Sequence, residues 1–393
     1  MRPAIDFKNV DILFPPAGDR SPATLDKAFR ALAAGATRAQ IQEQLKVIVG
    51  VADASLSVST GHISVLMGLS GSGKSTLLRA ANRLNPVTRG TVWLEHRGAT
   101  VDVAHCDSAM LRDIRRHTVA MMFQQFGLLP WRTVRDNVGF GLELRGEPTV
   151  KRKQVVDEKL ELVGLTAWAD RQLSELSGGM QQRVGLARAF ATDAQILLMD
   201  EPFSALDPLI RSKLQDELLS LQQRVRKTIL FVTHDLDEAL KLGNQISILE
   251  GGRIVQTGTP EEIVLTPKTP YVAEFVQHMN PLMVLTGHMV MSPLDAHQRE
   301  WAIDPQRGLT LSRQEDHWRV MMNGQPIELH RGPNAPAQDM AVCPVGTPLR
   351  ELMVAMNQTQ KPVLLEANGR LVGVVGAQET IRALSQTRRV TPV

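Results

Sequence analysis

The sequence predicts an α/β fold built on parallel strands, with a small α+β domain after it, and three observations carry that prediction. "QILLMD" (Gln195 to Asp200) and "KTILFVTHD" (Lys227 to Asp235) are apolar runs without alternation. Strands buried on both faces of a parallel sheet have this character. "MGLSGSGKSTLLRAANRL" (Met67 to Leu84) joins an apolar run to an amphipathic segment through a glycine-crowded loop, the strand, loop and helix order of an α/β unit. Helices and strands then alternate to about residue 258.

At the start of the chain, "IDFKNVDILF" (Ile5 to Phe14) reads as a strand, and "GVADASLSVSTGHISVLMG" as alternating strands ending in a buried one. Between them, at about 15 to 50, lies a helical insert. Leu25, Phe29 and Leu32 recur at helical spacing, Gly35 breaks the pattern, and Thr37 with Gln40 forms a capping box before Ile41 and Leu45. "GTPEEI" starts a helix after the core, with Thr259 as cap, Pro260 at the first helical position and Glu262 completing the box. Pro267, Pro270 and Pro281 punctuate the next stretch, so the domain boundary is expected near 280, giving domains 1–280 and 281–393. In the tail, Thr347-Pro348 opens a helix with Leu349, Leu352, Met353 and Met356 on one face. "KPVLLEANGRLVGVVG" reads as a hairpin around Asn368-Gly369, and "HWRVMMNGQPIEL" as a weaker one around Asn323-Gly324.

Composition narrows the function classes. With 393 residues and 43% apolar content, the chain can fill two or three ordinary cores. Lys+Arg at 44 against Asp+Glu at 41 leaves +3, which gives no indication of a nucleic-acid partner. The two cysteines, Cys106 and Cys343, lack the short spacing of a metal or redox pair and fit a reducing compartment. No apolar run approaches the ~20 residues needed to span a bilayer, and "MRPAIDFKNVDIL" lacks the apolar core of a signal peptide. Any membrane association is therefore expected to go through a partner.

Gly68, Gly73, Lys74 and Ser75 fit the pattern G-x-x-x-x-G-K-[ST]. Glycines let backbone N–H groups approach a polyphosphate, and a helix N-terminus favours its charge. Lys74 would reach the outer phosphates and Ser75 would ligate Mg²⁺. The expected ATP-binding loop thus comprises Gly68, Ser70, Gly71, Ser72, Gly73, Lys74, Ser75 and Thr76. In "ILLMDEP", Asp200 and Glu201 emerge at the C-terminal end of a buried strand, where open parallel sheets bind ligands. One carboxylate would hold Mg²⁺ and the next would orient an attacking water. In "LSELSGGMQQRVGLARAF", Ser177-Gly178-Gly179 precedes a helix and makes a second phosphate-ready N-terminus.

"LSGGMQQR" resembles the signature of ATP-binding-cassette (ABC) ATPases, and its distance ahead of "LLMDEP" is similar to the family's. The resemblance covers about residues 5 to 280 and implies a P-loop NTPase of the ABC type with a helical subdomain, ATP and Mg²⁺ as cofactors, and a head-to-tail homodimer. It also implies roles for single residues. Phe14 stacks adenine, unless it is merely an apolar strand-end residue. Gln124 senses the γ-phosphate and Mg²⁺, with Gln125 as the alternative. Phe126 to Trp131 receive the coupling helix of a transmembrane permease. Ser177, Gly178, Gly179 and Gln181 act on the partner copy's ATP, Asp207 lies in the loop crossing the dimer, and His234 is the switch histidine. Glu201, His234 and Gln124 are the expected catalytic set, and Ser75, Gln124 and Asp200 the expected Mg²⁺ ligands.

Within that superfamily, "FSALDPLIR", "THDLDEAL" and the insert resemble the importer ATPases for glycine betaine, choline and related quaternary amines. That resemblance implies a separate substrate-binding protein and a peripheral position on the cytoplasmic face of the plasma membrane. One Tyr and 4% aromatics make an aromatic cage for the amine unexpected in this chain. An ATPase of another small-solute importer and a cytosolic ABC ATPase unconnected with transport are the alternative readings. The tail from Thr347 resembles a cystathionine-β-synthase-type (CBS) module. It departs from the pattern because residues 282–340 are poorly recognisable as a repeat and "GAQET" lacks the Thr/Ser-x-x-Asp that would hold a ribose.

Overall fold

The computed structural model describes residues 3–387 apart from 17, 19, 20, 125, 126, 205, 278–281, 283, 296, 297, 315 and 316. It divides into two compact units, Met1–Pro260 and Glu261–Val393.

The first unit is built on a six-stranded sheet in the order Arg253–Gly258, Gln245–Glu250, Ile63–Met67, Thr228–Val232, Ile196–Asp200, Val119–Met122. The pair at the Arg253 edge is antiparallel and every other pairing is parallel. Every residue of Ile63–Met67, Ile196–Asp200 and Thr228–Val232 is buried, which is why these segments show no alternation in the sequence. Register then decides what meets at the sheet's edge. Leu66 lies opposite Val232, and Val232 lies opposite Asp200. The residues just beyond these positions, Gly68, Glu201 and His234, therefore leave the sheet side by side.

A second, antiparallel sheet runs Ile48–Ser59, Pro3–Phe14, Arg89–His96, Ala99–Asp102. Phe14 pairs with Ile48, so the insert is the long connection of a hairpin. It holds two helices, Pro22–Ala33, capped by Ser21, and Arg38–Leu45, opened by the Thr37–Gln40 capping box and closed by Lys46 at φ 55°. Their apolar faces share a core with Leu13, Ala28, Ile41, Val47, Val49 and Ala52. A third group of helices, Val134–Leu144, Thr149–Leu162 and Gly178–Ala191, packs mutually. Gly141 permits the approach, because a Cβ there would stand 2.4 Å from the Thr192 methyl.

The second unit contains a five-stranded sheet, Ser292–Pro293, Arg370–Val375, Val363–Ala367, Met340–Pro344, Leu329–Arg331, and a four-stranded antiparallel sheet from Glu300–Asp304 to Gln325–Ile327. Helix Leu349–Thr359 buries Leu349, Leu352 and Ala355 into a cluster with Cys343, Val363 and Val375. Both Asn-Gly turns form. Asn323-Gly324 and Asn368-Gly369 have φ of 50°/81° and 52°/75°, the left-handed pair a two-residue hairpin needs. Burial pushes the Cys343 thiol up to about 11, consistent with an unreactive core position. In the "GAQET" segment the Glu379 carboxylate accepts from Gly376 N–H at 3.0 Å and Ser292 Oγ at 2.8 Å. The break between the units at Pro260 precedes the proline-marked boundary expected near 280. The reason is that Leu265 already packs on the second unit's core. Among the described residues no helix is long and apolar enough to cross a membrane.

Leu198 is fully buried in the strand Ile196–Asp200, whereas Leu209 is 80% exposed. Leu198→Ala should cost ~2–5 kcal/mol and lower the midpoint of the first urea transition, while Leu209→Ala should stay within ~0.5 kcal/mol of the parent.

Candidate nucleotide site

Three short loops at the sheet's carboxyl edge supply the site. In the first, backbone geometry demands glycine. Gly68 has φ 143° and a Cβ there would lie 2.2 Å from Leu249 O; Gly73 has φ 104° and a Cβ there would lie 2.4 Å from Gly50 O. Lys74, 6% exposed, folds back so that its ammonium donates to the carbonyls of Gly68 and Leu69, each at 2.9 Å. Burial pushes its pKa down, while the nearby Glu201 and Asp200 carboxylates pull it back up. Ser70 and Gly71 are exposed. Ser72 Oγ is buried with no hydrogen-bond partner among the described residues.

These features fit a polyphosphate. The first-turn N–H groups of Lys74, Ser75 and Thr76 have no acceptor inside their own helix, the loop leaves no room for side chains, and a buried hydroxyl wants a partner. Phe14 ends its strand near Thr76, since a Cβ on Gly50 would lie 2.8 Å from the Phe14 ring and 3.0 Å from the Thr76 methyl.

Asp200 is wholly buried. Ser75 Oγ donates to its Oδ1 at 2.6 Å, and Arg79 Nη2 pairs with its Oδ2 at 2.9 Å. A hydroxyl and a carboxylate in contact are the hard oxygen donors that suit Mg²⁺. Arg79 escaped the sequence reading, although its place one helical turn after Ser75 puts both on the same face.

Glu201 has φ 49°, a left-handed conformation that costs a non-glycine residue on the order of 1 kcal/mol and concentrates at functional sites. Its N–H donates to Val232 O at 3.0 Å, and its carbonyl accepts from Gln182 Nε2 and Ser204 N–H, each at 3.4 Å. The carboxylate thereby points to where Gln124 Nε2 lies 3.3 Å and His234 Nδ1 3.4 Å from Oε2. Sequence reasoning found Gln124, Glu201 and His234, and the fold gathers them. It missed Gln182, a buried amide on the helix after Ser177.

The remaining residues make other contacts. Ser177 caps Gly178–Ala191, accepting from Met180 N–H at 3.4 Å, and Gln181 Nε2 donates to the carbonyls of Leu173 and Leu176 within that turn's own approach. Among the described residues no hydrogen bond joins this turn to the Gly68–Thr76 loop. Asp207 caps Pro208–Val225 by accepting from Ile210 N–H at 3.0 Å. Arg211, one turn later, donates to Leu206 O at 3.3 Å and pairs with Asp235 at 3.2 Å, tying the loop around Asp207 to the loop of His234. Gln125 and Phe126 lie outside the described residues; Trp131 is 74% exposed.

Gly73→Ala should abolish measurable nucleotide binding in calorimetry, because its Cβ displaces either the loop or Gly50, while helicity by circular dichroism is retained.

Residues 51–204 match the family described as ABC transporter. Across 375 residues the chain is 39% identical to the glycine betaine/carnitine transport ATP-binding protein GbuA of Listeria monocytogenes, covering 91% of this chain and 94% of that one. Against the glycine betaine/proline betaine transport system ATP-binding protein ProV of Escherichia coli K12 it is 39% identical over 379 residues, covering 92% and 94%. A solved dimeric structure of the ATP-binding cassette MJ0796, in a post-hydrolysis state bound to ADP and Pi, superposes with a TM-score of 0.55 at 28% identity, over 65% of this chain and 98% of that one. With the phosphate loop, the buried aspartate and the adjoining glutamate where such chemistry needs them, the chain belongs to the ABC transporter family as an ATP-binding ATPase.

Proposed function

We propose that this chain is the ATP-hydrolysing subunit of an importer for a quaternary amine, glycine betaine or choline, working through a separate permease fed by a binding protein. The observation that carries the ATPase half is the convergence of Gln124 and His234 on the strained Glu201, next to Asp200 and Lys74. The cargo rests on two relatives whose names give glycine betaine and which match over nine-tenths of this chain.

Each residue has a task that its geometry permits. The glycine loop holds the phosphates through N–H groups, and Lys74 turns from its two carbonyls to the outer phosphates. Ser75, Asp200 and Gln124 would hold Mg²⁺, which would supply positive charge beside the phosphates when bound. Glu201 orients the water, and His234 with Gln124 keeps water and γ-phosphate in line. In a head-to-tail homodimer Ser177, Gly178 and Gly179, at the capped N-terminus of Gly178–Ala191, face the partner copy's ATP together with Gln181, which is held by the Leu173 and Leu176 carbonyls. The dimeric cassette of similar fold supports a dimer of ATPase subunits. Asp207 crosses the dimer, and Phe14 packs on adenine. Exposed Trp131 supports docking of a permease on Phe126 to Trp131, which would hold the chain at the cytoplasmic face of the membrane. The second unit serves as a CBS-like regulatory domain without a ribose site, since Glu379 is engaged in capping Gly376.

The deciding experiment is uptake of labelled choline and labelled glycine betaine in source cells lacking this chain. Wild type should restore one uptake and Glu201→Gln should restore neither, while the purified variant still binds ATP and accumulates as a closed dimer; uptake that persists after redundant carriers are removed refutes the cargo, and wild-type turnover by the variant refutes the role of Glu201. Truncation after Pro260, where the first unit ends, should leave ATP hydrolysis in place and remove the response of transport to osmolarity; an unchanged response refutes the regulatory role.

A further inference from the structure

We propose that Arg38, carried by the helical insert, is a positioning residue for the phosphate loop and sets the affinity for the nucleotide's phosphates. The inference rests on the nucleotide reading of that loop and gives the insert a task.

Arg38 Nη1 donates to the carbonyl oxygen of Gly71 at 2.9 Å. Gly71 lies at the tip of the loop with φ 77°, and nothing stands within 4 Å of where its Cβ would be. Packing therefore does not hold the peptide after it. A trans peptide carries its C=O and N–H on opposite sides. Drawing Gly71 O outward to the guanidinium turns Ser72 N–H the other way, where it meets Leu69 O at 3.1 Å. That N–H, beside the unpartnered Ser72 hydroxyl, is the group a phosphate oxygen would take over.

The guanidinium is well suited to this task. Among the described residues no carboxylate pairs with it, and burial is the cause acting on its pKa, which it lowers. A cation held by one neutral carbonyl keeps unneutralised charge beside a loop built for anions.

The insert supplies the rigidity. Arg38 is the first residue of a helix opened by the Thr37–Gln40 capping box, with Thr37 N–H donating to Gln40 Oε1 at 2.8 Å. Ile41 anchors that helix in its core at 1% exposure. The companion helix is pinned where the Arg89 guanidinium lies 4.3 Å over the Phe29 ring and pairs with Asp11 at 2.8 Å. Arg38 thus approaches the loop from an ordered platform, and little side-chain freedom is left to lose when nucleotide binds.

The test measures ADP and ATP binding by calorimetry without Mg²⁺, and ATP hydrolysis with it, for wild type, Arg38→Ala, Arg38→Gln and Arg38→Lys. Arg38→Ala should weaken both nucleotides by about tenfold, the effect of one hydrogen bond to a charged group that is partly solvent-screened. KM should rise by a similar factor with kcat within about twofold. Arg38→Lys should recover most of the affinity and Arg38→Gln part of it, and nucleotide-free thermal unfolding should be unchanged in all three. Wild-type affinity in Arg38→Ala, or a fall in kcat at constant KM, overturns the proposal. Should Arg38→Ala fail to fold, Arg38→Gln decides, and affinity equal to wild type overturns the proposal. If wild type itself binds neither nucleotide, the nucleotide reading falls as well.

Discussion

The parallel register of three buried strands is the constraint on which the rest of the first unit depends. Leu66, Val232 and Asp200 lie in one row across the sheet, so the loops beyond them leave from a common edge. Helix dipoles, glycine geometry and carboxylates matter only because that row brings them within a few ångströms of one another. A slip of one residue in any of these pairings would turn each side chain to the opposite face and separate Ser75 from Asp200.

Around that row the site is held by backbone and neutral polar groups more than by opposite charges. Lys74 rests on two carbonyls, Glu201 on the Val232 carbonyl, and the Glu201 carbonyl on the Gln182 amide. The exception is Asp200, whose two oxygens are divided between Ser75 and Arg79. Breaking a buried ion pair by removing one member costs far more than an exposed pair contributes. Arg79 therefore holds the buried carboxylate in place beside Ser75. The insert adds a further contact from outside the sheet, and the Arg211 contacts tie the loop of Asp207 to that of His234. Side chains from regular helices in this way connect these loops to one another and to the insert.

The two units differ in how much of them local chemistry announces. In the second, both Asn-Gly turns form because the left-handed pair of dihedrals is a property of two adjacent residues. The boundary between the units was less legible. Prolines mark where chain direction changes, whereas membership of a core is decided by which apolar residues meet. Leu265 joins the cluster of Leu349 and Val375 although the prolines follow it in the chain.

By itself the sequence determined the buried parallel strands, the two helices of the insert, the glycine loop, the lysine and hydroxyl beyond it, the acidic pair and His234. Each is a pattern of neighbours, and neighbouring residues feel the same local sterics whatever the rest of the chain does. Only the tertiary structure decided that Ser75 meets Asp200 across 125 positions, that Gln182 supports Glu201, that Arg79 completes the aspartate's partners and that Arg38 reaches Gly71. Such contacts are fixed by register and packing between distant segments, and a polar side chain that will be buried with a partner looks, in sequence, like one that will face water.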